Sequence, residues 1–409
     1  MIPFTQALSL CTSLPRTQRT RALPLFQAHN HILACDICAT RALPPFDSSA
    51  MDGYAIRLED YGKILPSQGS ILAGEDASML YLESHHTYKV MTGSMLPQGT
   101  EAVVQIEWSA GDNLVQIPAP TCKQPIKQGQ NIRFKGEEIA KDSPLFTRGK
   151  RLNHLDLSVL AAQGIGEIEC FTPLKLGIYS SGDEVIEPWQ EARSHQIYNT
   201  NATSLYTLLT SRGFACEYNG ILRDERAQIL SKLEEFARYD VVITSGGASV
   251  GDADLLKQVL RESGAEFLFD GLEVKPGRHL ALAKLGSTYI LLLPGNPLAL
   301  LLHLHSLILP FLESLQGSLT PYPKPLQLPL QGTLKLNPSI TTMIVGRVEK
   351  GAFIPHNGGK IGSSSLPTMW HNEAIALFCG SEAYADSRRV NVLLYNADYS
   401  CDIMDFLNH

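Results

Sequence analysis

Residues 240–264, DVVITSGGASVGDADLLKQVLRESG, read as a strand, a glycine-rich loop and a helix. The β-branched run before the loop predicts a buried strand, and the glycines end it. Gly246, Gly247 and Gly251 let the backbone take positive φ and approach a ligand. The helix that follows offers unpaired N–H groups and the positive end of its dipole, a setting suited to phosphate. Asp252 can cap that helix and Asp254 falls in its first turn, so capping alone would account for both acids.

The same alternation extends on either side. LKLGIYSSGDEV (174–185) is an apolar run feeding a Gly/Ser/Asp turn, and YNTNATSLYTLLTSRG (198–213) is a capped helix ending at Gly213. DERAQILSKLEEFARY (224–239) is a second helix, and YILLLPGNPLALLLHLH (289–305) is again strand, turn, helix. Strands alternating with helices predict a parallel sheet wrapped by helices, with ligands at the carboxyl ends of the strands. Around this core the composition shifts. Residues 5–40 carry helical periodicity, 46–139 hold short β runs separated by turn residues, and 153–163 open with Asn153 as a helix cap and end at Gly164. Beyond the PYPKP stretch at 321–325, short strands return, predicting a small β unit.

With 409 residues the chain is long enough for several compact units. Hydrophobic residues make up 44% and charged residues 18%, with a formal net charge of −7. A mildly acidic chain argues against nonspecific nucleic-acid binding, so an anionic ligand needs a local positive pocket. The eight cysteines are mostly scattered. Cys35 and Cys38 form a lone C-x-x-C without a second ligand pair and are read as buried thiols of a reducing compartment. The apolar stretch 298–312 is too short to span a bilayer and contains His303, His305 and Pro310. It is read as a buried core helix whose histidines pack. The expectation is a soluble, cytoplasmic protein with no membrane or nucleic-acid partner.

Three loops at strand ends carry the chemistry: residues 180–184 (SSGDE), 245–254 (SGGASVGDAD) and 294–297 (PGNP), with Pro297 suited to a helix first turn. Their acids, Asp183, Glu184, Asp224, Asp252 and Asp254, beside a phosphate site suggest a hard divalent cation such as Mg²⁺, which accepts oxygen from both. Lys275-Pro276-Gly277-Arg278 places two cations around a turn, suited to an oxyanion. Surface turns and solvated carboxylates would explain each feature singly.

Residues 45–55, PFDSSAMDGYA, closely match the P-x-F-D-N-S-A-M-D-G-Y-A signature, and the chain thereby resembles the molybdopterin molybdenumtransferases, the MoeA and gephyrin E-domain family. MTG at 91–93, LPQGTEAVV at 96–104, RFKGEEI at 133–139, SGDE at 181–184, SGGASVGDAD, KPGR and PGNP follow in that family's order. The similarity spans about 30–315 and is weak at both ends. It implies a multi-domain α/β plus β architecture: a helical linker domain from 1–45 and 140–172, an inserted β-rich domain at 46–139, a central doubly wound α/β molybdopterin-binding domain at 173–320, and a C-terminal β-barrel-like domain at 321–409. It implies an elongated homodimer and, as further partners, a molybdopterin adenylyltransferase and molybdoenzyme maturation factors. The implied reaction transfers molybdate to the dithiolene of adenylylated molybdopterin, releasing AMP, with Mg²⁺ required.

By that resemblance Ser181, Gly182, Asp183, Ser245, Gly246, Gly247, Ser249, Gly251, Asp252, Pro294, Gly295, Asn296 and Pro297 hold the pterin and phosphates. Glu184, Asp224 and Asp254 are the acids at the metal and phosphoanhydride. Lys275, Arg278, Arg347 and a serine among Ser363, Ser364 and Ser365 meet molybdate, while Asp52 and Thr92 enter the cleft from a partner subunit. Departures concentrate on the molybdate side: Arg278 stands for a lysine, Ala299 for a common serine, and residues 369–374 match loosely; Ser181 for threonine is mild. Two other readings stay open, a molybdopterin-binding or scaffold protein with weakened catalysis and a molybdopterin adenylyltransferase. The 45–55 string and the β units argue against the latter.

Overall fold

The computed structural model describes residues 1–119, 127–246, 255–360, 366–381 and 383–395. The chain opens with β1 (Ile2–Pro3) and α1 (Phe4–Ser13). Phe4, Ala7 and Cys11 recur at helical spacing and are buried. The helical periodicity expected over 5–40 stops at Ser13, where Leu14 turns extended ahead of Pro15. Proline's ring disfavours the helical conformation in the residue before it. The chain then continues as β2 (Thr20–Pro24).

Residues 53–116 form a five-stranded sheet built from β3 (Gly53–Ile56), β4 (Ile64–Ile71), β5 (Thr87–Val90), β6 (Ala102–Gln105) and β7 (Leu114–Gln116), in the order β6-β3-β5-β4-β7. All four residues of β3 are buried because both faces of the sheet are covered. Gly53 is demanded by sterics: a Cβ there would lie 2.0 Å from the Val104 carbonyl oxygen.

After this sheet come α2 (His154–Ala162) and β8 (Glu167–Phe171). Asn153 caps α2 by accepting from the Leu155 and Asp156 amides, and Asp156 accepts from the Asn153 amide. β8 pairs antiparallel with β2, and Leu23, Leu25, Leu152, Leu160 and Ile168 form the core between them. This part is therefore mainly two-stranded ribbons with one helix, and α1 packs elsewhere. Cys38 is exposed and Cys35 half-buried, so the pair is not the buried one expected; desolvation raises the Cys35 thiol.

The central unit runs β9 (Lys175–Ser181), α3 (Thr200–Ser211), β10 (Ala215–Leu222), α4 (Arg226–Phe236), β11 (Val241–Ser245), α5 (Leu255–Glu262), β12 (Glu266–Asp270), β13 (Leu272–Lys275), β14 (Ala281–Leu285), β15 (Thr288–Leu293), α6 (Pro297–His303) and α7 (Leu309–Leu315). Its sheet has the order β10-β9-β11-β15-β14-β12. β10, β9, β11 and β15 are parallel as the alternation predicts, but β14 runs antiparallel to both its neighbours, β15 and β12. Gly286-Ser287 closes a tight β14–β15 hairpin, with Leu285 paired to Thr288 and Gly286 at φ 60°.

Alternate residues of β11 serve opposite faces: Val241 and Ile243 enter one core and Val242 the other. Helix α1 lies in the first of these cores, against α7. The helical run Pro297–Leu315 is long and apolar enough to cross a bilayer, yet 83% of its apolar window is buried within the protein, as in a core helix. A π-helical turn over Leu304–Ile308 precedes Pro310, whose missing N–H would otherwise break the ladder.

β16 (Leu326–Pro329), β17 (Thr341–Glu349), β18 (Ala352–Pro355), β19 (Ala374–Phe378) and β20 (Arg389–Leu394) complete the fold. They pair in the order β17-β19-β20-β16, with β18 on the other side of β17. A bridge from Leu330 to Phe353 curls the far edge back toward β18. The sheet does not end there. β17 pairs in parallel with β13, and β13 with β1, so Lys275 stands beside Thr342 and Leu272 beside Ile2.

Candidate active site

Three loops meet at the carboxyl ends of β9, β11 and β15. Gly246, at φ 94°, lies so close to β9 that a Cβ would sit 2.4 Å from the Ser181 carbonyl oxygen. Its amide donates to the Leu293 carbonyl at 3.1 Å, and a Cβ on Gly295 would lie 3.6 Å from its Cα. Asn296 accepts from the Leu298 and Ala299 amides at 3.0 and 3.3 Å and so starts α6. Below the loops Ser180 donates to Asn199 at 2.9 Å, and Asn199 caps α3 through the Ala202 amide.

These loops enclose a cleft of about 430 Å³ that Ser181, Gly182, Glu184, Asp224, Ser245, Gly246, Pro294, Gly295, Asn296 and Pro297 all line. The sequence reading missed Asn199, Thr200, Asn201 and His279, which also line it. The first three begin α3, and their place could have been foreseen: the helix that follows a parallel strand starts at the ligand-binding edge. Asp183 is not brought to the cleft. Its side chain is 73% exposed and faces Arg223, which donates to the Gly182 and Asp183 carbonyls at 3.2 and 3.1 Å and braces the loop. Gly247, Ser249, Gly251, Asp252 and Asp254 lie outside the described residues.

A second cavity of about 730 Å³ adjoins the first, sharing His279, Pro294 and Asn296 as a common wall. Lys275 and Arg278 line it, joined by Lys335 and Lys360, which the sequence reading missed. Among the described residues no carboxylate lines this cavity, so it is locally cationic in an acidic chain. Its far side is built by Asn337, Ile340 and Thr342, delivered by the continuation of the sheet from β13 into β17.

Arg347 is not part of it. Met343 is the last residue of β17 to line the cavity, and Arg347 lies four positions further along the strand, roughly 13 Å away. Arg347 is exposed there and paired with Glu349 at 3.1 Å. Ser363, Ser364 and Ser365 lie outside the described residues.

Asp52 and Thr92 line neither cavity in this chain. The Thr92 amide and hydroxyl donate to one Asp52 oxygen at 2.7 and 2.8 Å, holding that carboxyl below the usual carboxylate range. Among the described residues no three His, Cys, Asp or Glu side chains cluster as a metal site. Glu184 and Asp224 are two acids on one cleft, which suits a cation that completes its shell with ligand oxygens.

Comparison with known proteins agrees with this geometry. Residues 2–164 match the family model "MoeA N-terminal region (domain I and II)", and 177–314 match "Probable molybdopterin binding domain". The molybdopterin molybdenumtransferase of Haemophilus influenzae is 36% identical over 321 residues, 78% of each chain. That of Synechococcus elongatus is 31% identical over 328 residues, 76% of this chain and 79% of the relative. The solved molybdopterin biosynthesis MoeA protein of Pyrococcus horikoshii superposes with a TM-score of 0.81 at 26% identity, covering 97% of this chain and all of that one. The chain belongs to the molybdopterin molybdenumtransferase family, transferases of molybdenum cofactor biosynthesis.

Proposed function

We propose that this chain transfers molybdenum from molybdate to the dithiolene of adenylylated molybdopterin, with release of AMP. One observation carries the reading: a cleft of glycine and serine loops bearing two acids shares a wall with a cavity bearing four cations. Such a pair suits a phosphoanhydride on one side and an oxyanion on the other. Serine hydroxyls, loop amides and the start of α3 hold the phosphates in the first. Lys275, Arg278, Lys335 and Lys360 receive molybdate, the substrate anion, in the second. Cationic donors fixed before the substrate arrives stabilise charge without reorganisation.

Glu184 and Asp224, with Asp254 by resemblance, would hold Mg²⁺. When bound, it neutralises the phosphoanhydride and polarises it toward cleavage. His279, Pro294 and Asn296 fix how closely the two substrates approach. We take the active form to be a cytoplasmic homodimer in which the partner brings its own copies of the Asp52 and Thr92 pair to the cleft. The test is incubation of the purified chain with adenylylated molybdopterin, molybdate and Mg²⁺. AMP release that depends on molybdate supports the reading; substrate binding without release overturns it in favour of a binding protein. Adenylylation of molybdopterin from ATP would favour an adenylyltransferase.

A further inference from the structure

Helix α6 is almost wholly leucine on its buried side, with Leu298, Leu300 and Leu302 in the core, yet it places His303 among them at 0% exposure. Burial pushes this imidazole down to about 4, so it is neutral near pH 7. A neutral ring has one N–H, and its Nε2 stands 2.9 Å from the Gly277 carbonyl oxygen. A carbonyl can only accept, so Nε2 carries the proton and donates. Nδ1 is then a buried acceptor without a partner among the described residues. Leucine would fill this position without an orphaned polar atom, so the retained histidine has to be explained by what its one bond does.

That bond reaches the turn that carries Lys275 and Arg278. Gly277 adopts φ 86°, and a Cβ there would lie 2.5 Å from His303 Nε2 and 3.1 Å from the Ala299 Cβ. The turn thus rests on the α6 face made by Ala299 and His303, one helical turn apart. The opposite end of α6 begins at Asn296 and Pro297, in the wall between the two cavities. The Leu272 amide closes the base of the turn on the Arg278 carbonyl at 2.7 Å, but nearer its tip the Gly277 carbonyl is held by His303.

We propose that His303 is a positioning residue of the cationic cavity, pinning the Lys275–Arg278 turn to α6 and so fixing both cations relative to the cleft beside it. As a statement about molybdate this rests on the function proposed above; as a statement about the turn it does not. The test compares His303→Leu, which removes the donor, with His303→Gln, whose amide can restore it. Three readouts are taken on the full chain: hydrogen exchange of backbone amides in 272–280, binding of sodium molybdate, and half-saturation for the pterin nucleotide.

In the leucine variant, exchange in the turn accelerates and molybdate binding weakens, each about 10-fold, the size of one lost hydrogen bond. Half-saturation for the pterin nucleotide stays put, and glutamine recovers most of both losses. A folded leucine variant with unchanged exchange over 272–280 overturns the proposal, as does glutamine no better than leucine. If His303→Leu does not fold, Gly277→Ala disturbs the same contact from the turn side, and unchanged exchange there overturns the proposal equally. If molybdate fails to bind the unaltered chain, the anion reading falls while the exchange data still decide the role of His303.

Discussion

Replacing Gly246 by alanine tests the convergence of the three loops at its tightest point. Two costs arise. The first is conformational: an L-residue at φ 94° loses about 1–2 kcal/mol. The second is contact. The new Cβ would lie 2.4 Å from the Ser181 carbonyl oxygen, and neither side can yield easily, because Ser180 and Ser245 are paired in adjacent buried strands. Overpacking of this kind costs about 1–3 kcal/mol. Gly264 separates the two terms, since it sits in the same unit at φ 84° with nothing within 4 Å of an added Cβ. Both variants are unfolded in urea, following the transition of the α/β unit. Gly246→Ala should lose about 1–3 kcal/mol more than Gly264→Ala and should alone weaken binding of the pterin nucleotide. Equal losses in the two variants, with equal ligand affinity, would refute the close packing of the 181 and 246 loops.

Further outcomes follow from other contacts. Lys275→Ala and Arg278→Ala should each raise the molybdate concentration for half-maximal AMP release by about 10-fold or more, the scale of a lost charged hydrogen bond. Arg347→Ala, further along β17 and paired with Glu349, should change it less than about 2-fold. Acid should destabilise the chain through His303: its folded-state pKa of about 4 lies below the ordinary 6.5, so the unfolded chain takes up the proton first. The stability it contributes is present above 6.5 and is lost as pH falls toward 4, about 2 kcal/mol between pH 7 and pH 5. The gap between urea midpoints at those two pH values should therefore narrow in His303→Leu without closing, because His305, also pushed down to about 4 by burial, keeps its own share.

Arg151 offers a structural counterpart. It bonds Glu313 of α7 at 2.6 and 3.0 Å and the Asn30 and Arg212 carbonyls. Arg151→Ala leaves a largely buried carboxylate unpaired and should cost about 3–5 kcal/mol in thermal or urea unfolding.

The parts of the site written in local sequence were the ones that could be read. Gly182, Gly246 and the Pro294–Pro297 turn announce themselves because the backbone needs glycine, proline or a capping asparagine at those points. Their grouping follows from the rule that parallel strands present such loops at one edge. Gly53 is a similar case, forced by the Val104 carbonyl. What stayed hidden depends on direction or on distant pairing. Asp183 sits in the right loop but turns outward to Arg223, and Arg347 sits on the right strand but too far along it, paired with Glu349. Lys335 and Lys360 enter the cavity only because β13 pairs with β17, a match between residues 274–275 and 341–342 that no local pattern encodes. Hydrophobic periodicity likewise overran the end of α1, since apolar residues of the following ribbon mimic helical spacing until Pro15 is weighed.

The most direct test of two adjoining sites is a crystal of the chain soaked in molybdate and measured at the molybdenum absorption edge. One anomalous peak is expected in the 730 Å³ cavity, within bonding reach of Lys275 and Arg278 and beside the His279–Asn296 wall. A peak next to Arg347, or at a surface unconnected with the glycine-loop cleft, would contradict it.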